Sequence, residues 1–296
     1  MVYVVASGAD RKRRLARVID DRKRTMRWML RVPAVVVLVL VLNGLSWSGR
    51  AEDARWGARP AQFYRPLATE LRLGSADLLG IAHDAGDRAP SSQLALAHGA
   101  DVVEINVTLI GGRLYAAHTP PPGWLPSSAY RGPTLGEAWA RTAGARFVQL
   151  DLKDTSPAAM RLTISFLERH ADGRRVFVST RSITALETLS ERAPDVVRLL
   201  SIGNRFGLQA LMENPERAEL LNGVSVRADL LDAETMAWLK DRGLLVTAWT
   251  VNDVEQLNDL VALGIDAVTT DNLAILDAMQ WAQQRRTAAN LGRLFP

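Results

Sequence analysis

From Leu79 to Thr270, short apolar runs rich in β-branched residues alternate with stretches whose apolar residues recur at helical spacing. The runs predict strands over Leu79–His83, Asp101–Thr108, Arg146–Leu152, Arg175–Thr180, Val197–Ile202, Gly223–Arg227, Leu245–Val251 and Ala267–Thr270. The stretches between them predict helices, among them Thr134–Ala143, Pro157–His170, Ile183–Arg192, Asp232–Arg242 and Asp253–Leu263. A Gly111-Gly112 pair marks a hairpin after the second strand. Eight strand–helix units in about 220 residues fit an α/β fold of the (β/α)8, or TIM-barrel, type. An open doubly wound sheet competes, but it usually carries a G-x-G-x-x-G loop after its first strand. The turn here, HDAGDRAP, has none.

Upstream the pattern changes. Val32–Trp47 is an almost unbroken apolar run with Trp28 and Trp47 at its ends, and about 20 residues of helix would rise ~30 Å, one hydrocarbon thickness. The expectation is an N-terminal transmembrane helix over 32–47, with a cleaved signal sequence as the alternative. Residues 1–31 hold ten Lys/Arg against three Asp, a charge of +7, which leaves −3 of the total +4 for residues 32–296. That flank predicts a cytoplasmic N-terminus (1–31) and a single-pass protein of the cell membrane whose remaining chain lies outside the cytoplasm. A linker over 48–77, a barrel over 78–280 and a C-terminal tail over 281–296 complete the expected organisation. The slightly acidic body offers no nucleic-acid footprint. The absence of cysteine excludes disulfides, thiol nucleophiles and zinc–thiolate sites.

In a barrel of this kind chemistry sits at the C-terminal ends of the strands. His83 ends the first predicted strand, Asp151 and Lys153 the third, and Asp271 follows the eighth. Glu104 and Asn106 lie one residue apart on the second strand and therefore face the same side, and His118 follows the hairpin. Two imidazoles and several oxygen ligands at one rim suit metal-assisted acid–base chemistry on a phosphate ester.

These residues resemble the glycerophosphodiester phosphodiesterase family. The family's HRG turn is matched by His83-Asp84-Ala85-Gly86, and its G-A-D followed by E-x-D by Gly99-Ala100-Asp101 and Glu104-Ile105-Asn106. Its P-T-L-x-E is matched by Pro133–Glu137, its acidic-x-Lys by Asp151-Leu152-Lys153, and its W-T-V-N by Trp249–Asn252. Its G-x-D and T-D ending is matched by Gly264, Asp266, Thr270 and Asp271. The resemblance implies a metal-dependent hydrolase of glycerophosphodiesters or phospholipid headgroups. It implies a divalent cation (Mg or Ca) held by Glu104, Asn106 and Asp151, with Lys153 on the phosphate and His83 and His118 as the acid–base pair. Asp84 and Trp249 are supporting candidates.

The chain departs from the family at Asn106, which stands for Asp, and at Asp84, which stands for Arg. It also lacks P-E-N-T, having Pro90-Ser91-Ser92-Gln93. Arg181 and Arg227, at the ends of other strands, are possible replacements for the lost phosphate-binding Arg or partners of nearby acids. The short connection after His118 leaves the mouth open, with Trp124 and Leu125 as candidates for touching lipid or an apolar part of the substrate. Because of these departures, a catalytically impaired binding or regulatory barrel stands as the alternative to a membrane-anchored enzyme.

Overall fold

The computed structural model describes residues 78–121, 126–171 and 176–294. The expected basic N-terminus, membrane helix, linker, Trp124 and Leu125 lie outside the described residues. None of the described helices is long and apolar enough to cross a membrane.

The strands are β1 (Leu79–Ala82), β2 (Val102–Ile110), β3 (Arg113–Ala116), β4 (Phe147–Leu152), β5 (Val176–Thr180), β6 (Val197–Ile202), β7 (Gly223–Arg227), β8 (Leu245–Trp249) and β9 (Ala267–Thr270). Eight of them run parallel and close on themselves in the order β1-β2-β4-β5-β6-β7-β8-β9, with β9 pairing back to β1. β3 lies outside the ring, antiparallel to β2. Gly111 and Gly112 make that hairpin at φ 56° and 81°, a conformation glycine adopts without steric cost.

The helices are α1 (Ala89–Ala97), α2 (Leu135–Arg141), α3 (Pro157–His170), α4 (Ile183–Arg192), α5 (Arg205–Glu213), α6 (Ala233–Asp241), α7 (Val254–Ala262) and α8 (Leu273–Leu294). All eight expected strands and the five named helices form, each end within two residues of its expected place. α8 runs through to Leu294, across the boundary expected at 280. Local chemistry fixes several helix starts. Thr134 and Glu137 form a reciprocal capping box on α2, and Ser156, Ser182, Asn204, Asp232 and Asp253 cap the helices that follow them. His98 ties the end of α1 to Asp277 of α8 at 2.8 Å, and His170 lies on Phe166 at 4.5 Å between ring centres.

Strand alternation sorts the barrel interior into layers. At the bottom, Ile81, Val102, Phe147, Phe177, Leu199 and Ala267 pack into one buried apolar cluster. Two residues further along their strands come Glu104, Gln149, Ser179, Ser201 and Thr269, a polar layer of mostly small side chains. Their size leaves room above the apolar plug, so the barrel is open at its C-terminal end. On the outer faces, a second and larger core joins Leu150, Leu186, Leu239 and Leu257, among others, to the ring of helices.

The turn after β1 is seated on β2. A Cβ added at Gly86 would lie 2.3 Å from Ile105 Cγ1 and 2.8 Å from the Glu104 carbonyl oxygen, so only glycine allows this approach. Gly86→Ala is expected to lower unfolding stability by about 1–3 kcal/mol, as overpacked sites do. An unshifted urea midpoint for this variant would contradict the packing described.

Candidate active site

The open end of the barrel holds a cavity of about 520 Å³. His83, Glu104, His118, Asp151, Lys153 and Trp249 all line it. Five of the sequence-predicted groups, spread over seventy residues, thus meet with Trp249 in one cleft at the C-terminal ends of the strands.

His83 leaves β1 and turns Nδ1 to Asp271 Oδ1 at 2.8 Å, while Nε2 lies 3.4 Å from Asp84 Oδ1. Burial alone would pull the imidazole pKa down. The Asp271 hydrogen bond and the fields of Glu104, Asp84 and Asp271 outweigh it and raise the pKa to about 10. Asp271 is itself held: Asn252 donates from Nδ2 to Asp271 Oδ2 at 3.1 Å and accepts the Asp271 backbone N–H at 2.8 Å. Asp253 alone caps α7, accepting from Glu255 and Gln256, and Asn252 instead fixes the carboxylate that orients His83. The cap of α8 likewise comes from Asn272, which accepts from Ala274 at 3.1 Å, and not from Asp271.

Glu104 is 4% exposed. Gln149 Nε2 donates to its Oε1 at 3.1 Å and the Asp84 backbone N–H to its Oε2 at 3.4 Å. Burial, then the neighbouring Asp151 and Asp84 against the opposing pull of His83 and Lys153, push its pKa up to about 7. Lys153 pairs with Asp151, and among the described residues Glu104 makes no ion pair with it. The other Asp151 oxygen accepts from Ser179 Oγ at 2.9 Å. Burial lowers and Asp151 raises the Lys153 pKa, and the carboxylate prevails, keeping the amine charged.

His118 is exposed at the mouth, with Nδ1 3.2 Å from Thr119 Oγ1. Partial desolvation and the nearby Lys153 charge hold its pKa below the usual value, opposite to His83.

Asn106 is fully buried behind these groups and is not among the cavity-lining residues. Its Nδ2 donates to Asp84 Oδ1 at 2.6 Å and to Asp87 Oδ2 at 2.7 Å, and its backbone N–H donates to Asp87 Oδ1 at 2.9 Å. Asn106 Oδ1 is buried without a partner, and so is Gln149 Oε1. Asp87, buried next to Asp84, has its pKa raised by desolvation and by that neighbour's charge. Of the two strand-end arginines, Arg181 lines the cavity, whereas Arg227 is exposed and clamped by Asp229 at 2.5 and 2.9 Å.

Asp87, Gln149 and Ser179 were not singled out from the sequence. Gln149 and Ser179 carry a signal that strand parity could have supplied, since each lies two residues before a strand-end group at the rim, Asp151 and Arg181. Asp87 carries none, because its role depends on how a turn folds back onto β2.

Residues 140–275 match the model of the Glycerophosphoryl diester phosphodiesterase family. The matched span includes Asp151, Lys153, Trp249 and Asp271 and begins after His83, Glu104 and His118. No curated protein matches the sequence. Among solved structures, a phosphodiesterase from Oleispira antarctica in complex with the product sn-glycerol-3-phosphate is 20% identical, over 74% of this chain and 99% of that one, with a TM-score of 0.56. A glycerophosphodiester phosphodiesterase from Parabacteroides distasonis is 21% identical, over 72% and 100%, with a TM-score of 0.58. One from Agrobacterium tumefaciens is 16% identical, over 68% and 99%, with a TM-score of 0.52. At these identities the structures establish a shared barrel fold, and over residues 140–275 the chain is similar to the Glycerophosphoryl diester phosphodiesterase family, a family of phosphoric diester hydrolases.

Proposed function

We propose that the cleft hydrolyses glycerophosphodiesters or the headgroups of phospholipids, with a divalent cation (Mg²⁺ or Ca²⁺) as cofactor and His83 and His118 as the acid–base pair. The observation that carries this reading is the convergence of His83, Glu104, His118, Asp151 and Lys153 on a single cavity. By analogy with the Oleispira antarctica phosphodiesterase complex, sn-glycerol-3-phosphate is the expected product.

The donor set fits a hard cation. Glu104 and Asp151 offer carboxylate oxygens, the Asp84–Asn106 pair adjoins them, and the buried Oε1 of Gln149, which lines the cavity, lacks a partner. Ligand atoms of His83, Asp84 and Glu104 lie within 4.8 Å of one another. A bound cation would neutralise charge on the non-bridging phosphate oxygens.

The protein's own groups divide the proton work. His118, its pKa held low, is unprotonated near neutral pH and suits taking a proton from the attacking oxygen. His83, held as an imidazolium with Nδ1–H fixed on Asp271, suits giving a proton from Nε2 to the leaving alkoxide. Lys153 and Arg181 supply positive charge for the phosphate, and Trp249, its Nε1 donating to the Ser225 carbonyl at 2.9 Å, walls the cleft. The apolar run over 32–47 with its basic flank supports a membrane anchor, with the barrel outside the cytoplasm, close to lipid headgroups.

The direct test is release of sn-glycerol-3-phosphate from a glycerophosphodiester with Mg²⁺, Ca²⁺ or Mn²⁺ present. Turnover is expected to stop in EDTA, and His118→Ala is expected to lower kcat by about 10²-fold or more, the usual worth of a positioned acid or base. Folded protein that turns over with none of these cations would instead be a binding or regulatory barrel.

Protonation also predicts how stability depends on pH. The folded chain holds the His83 proton up to about pH 10, whereas the unfolded chain releases it near 6.5. Its stabilising contribution is therefore complete below pH 6.5 and is lost as pH rises toward 10. Glu104, raised from 4.5 to about 7, acts in the same direction below neutral pH, and His118 opposes it there. In EDTA the melting temperature is expected to fall from pH 7 to pH 9. A melting temperature that is flat or rising over that range would contradict the charge arrangement around His83.

A further inference from the structure

We propose that Asp84 is a direct ligand of the cation, and that Asn106 is a positioning residue which holds Asp84 in place and does not itself coordinate. This rests on the metal-dependent reading above and specifies it.

Asp84 sits immediately after β1 at φ 55° and ψ 7°, a left-handed conformation that Asp tolerates better than most residues. The side chain, 13% exposed, turns in beside His83 and Glu104. Asn106 sets that orientation. Its backbone N–H and Nδ2 are both held by Asp87, and the same Nδ2 reaches Asp84 at 2.6 Å. With acceptor oxygens at both of these positions, the NH2 end of the amide faces them; turning it over would give up both Nδ2 hydrogen bonds and set its oxygen against the Asp84 carboxylate. The amide oxygen that would ligate a cation is thus committed away from Asp84 and Asp87.

A cluster of acids is not by itself a site, but Gln149 points to one independently. It is 2% exposed, lines the cavity and donates Nε2 to Glu104, yet its Oε1 has no partner. A buried carbonyl oxygen stripped of water without a donor is costly. A cation, or water held by one, among Asp84, Glu104 and Asp151 would satisfy it.

Isothermal titration of Mn²⁺ into the full chain in detergent, with melting curves in EDTA as the folding control, separates the roles. Asp84→Asn keeps the size and the tolerance for positive φ and removes only the charge. It is expected to weaken Mn²⁺ binding at least ten-fold with its melting curve in EDTA no lower than that of the parent. Asn106→Asp replaces the NH2 donor with a third carboxylate facing Asp84 and Asp87, and is expected not to tighten binding. Parent-like Mn²⁺ affinity in Asp84→Asn, or a ten-fold gain in Asn106→Asp, would overturn the assignment while leaving the metal-dependent reading intact. A parent chain that binds no Mn²⁺ would overturn both.

Discussion

Negative charge crowded into a desolvated barrel mouth is the constraint that the site depends on. Asp84, Asp87, Glu104 and Asp151 come together where β1, β2 and β4 end, and a buried carboxylate is costly unless it is paired or hydrogen-bonded. The chain answers with nearby donors. Lys153 takes one oxygen of Asp151 and Ser179 the other; Gln149 serves Glu104; the Asn106 amide spans Asp84 and Asp87. These donors do not complete the balance. Glu104 and Asp87 are pushed toward protonation, His83 is held as a cation, and two amide oxygens stay unpaired. A site so arranged is short of positive charge at the point where a phosphodiester hydrolase uses it.

The fold makes this crowding possible by stacking layers. The apolar plug of Ile81, Val102, Phe147, Phe177, Leu199 and Ala267 closes the bottom of the barrel. Above it, Ser179, Ser201 and Thr269 are too small to fill the lumen, so the next residues of each strand border an open cavity. Hydrogen bonds across the strand ends then hold the rim. Asn252 after β8 fixes Asp271 after β9, and Asp271 fixes His83 after β1. His83 thus owes its orientation to residues nearly two hundred positions away in the chain.

Much of this was legible from hydrophobic spacing. The eight parallel strands emerge within two residues of their expected ends because each is a run of buried residues bounded by turn formers, and the helices between them carry their own caps. His83, Glu104, His118, Asp151 and Lys153 could be placed at one rim because strand ends in a closed barrel share a face. What spacing could not convey is which partner each polar group takes. Asn252 next to Asp253 reads as a cap pair, and only the pairing of β8 with β9 shows it facing Asp271 instead. Asn106 read as a carbonyl donor, but the direction of an amide follows from its neighbours, and Asp87 approaches it through a turn seated on Gly86. Arg181 and Arg227, equivalent in sequence, part company because Asp229 lies two residues from one of them.

The most direct measurement is a crystal structure of the protein soaked with Mn²⁺ and sn-glycerol-3-phosphate, read by anomalous scattering. The expected result is one Mn²⁺ peak bounded by Asp84, Glu104 and Asp151, with the phosphate against Lys153 and between His83 and His118. An ordered phosphate elsewhere on the molecule, or a barrel mouth that takes up neither ion, would contradict the assignment of this cleft as the hydrolytic site.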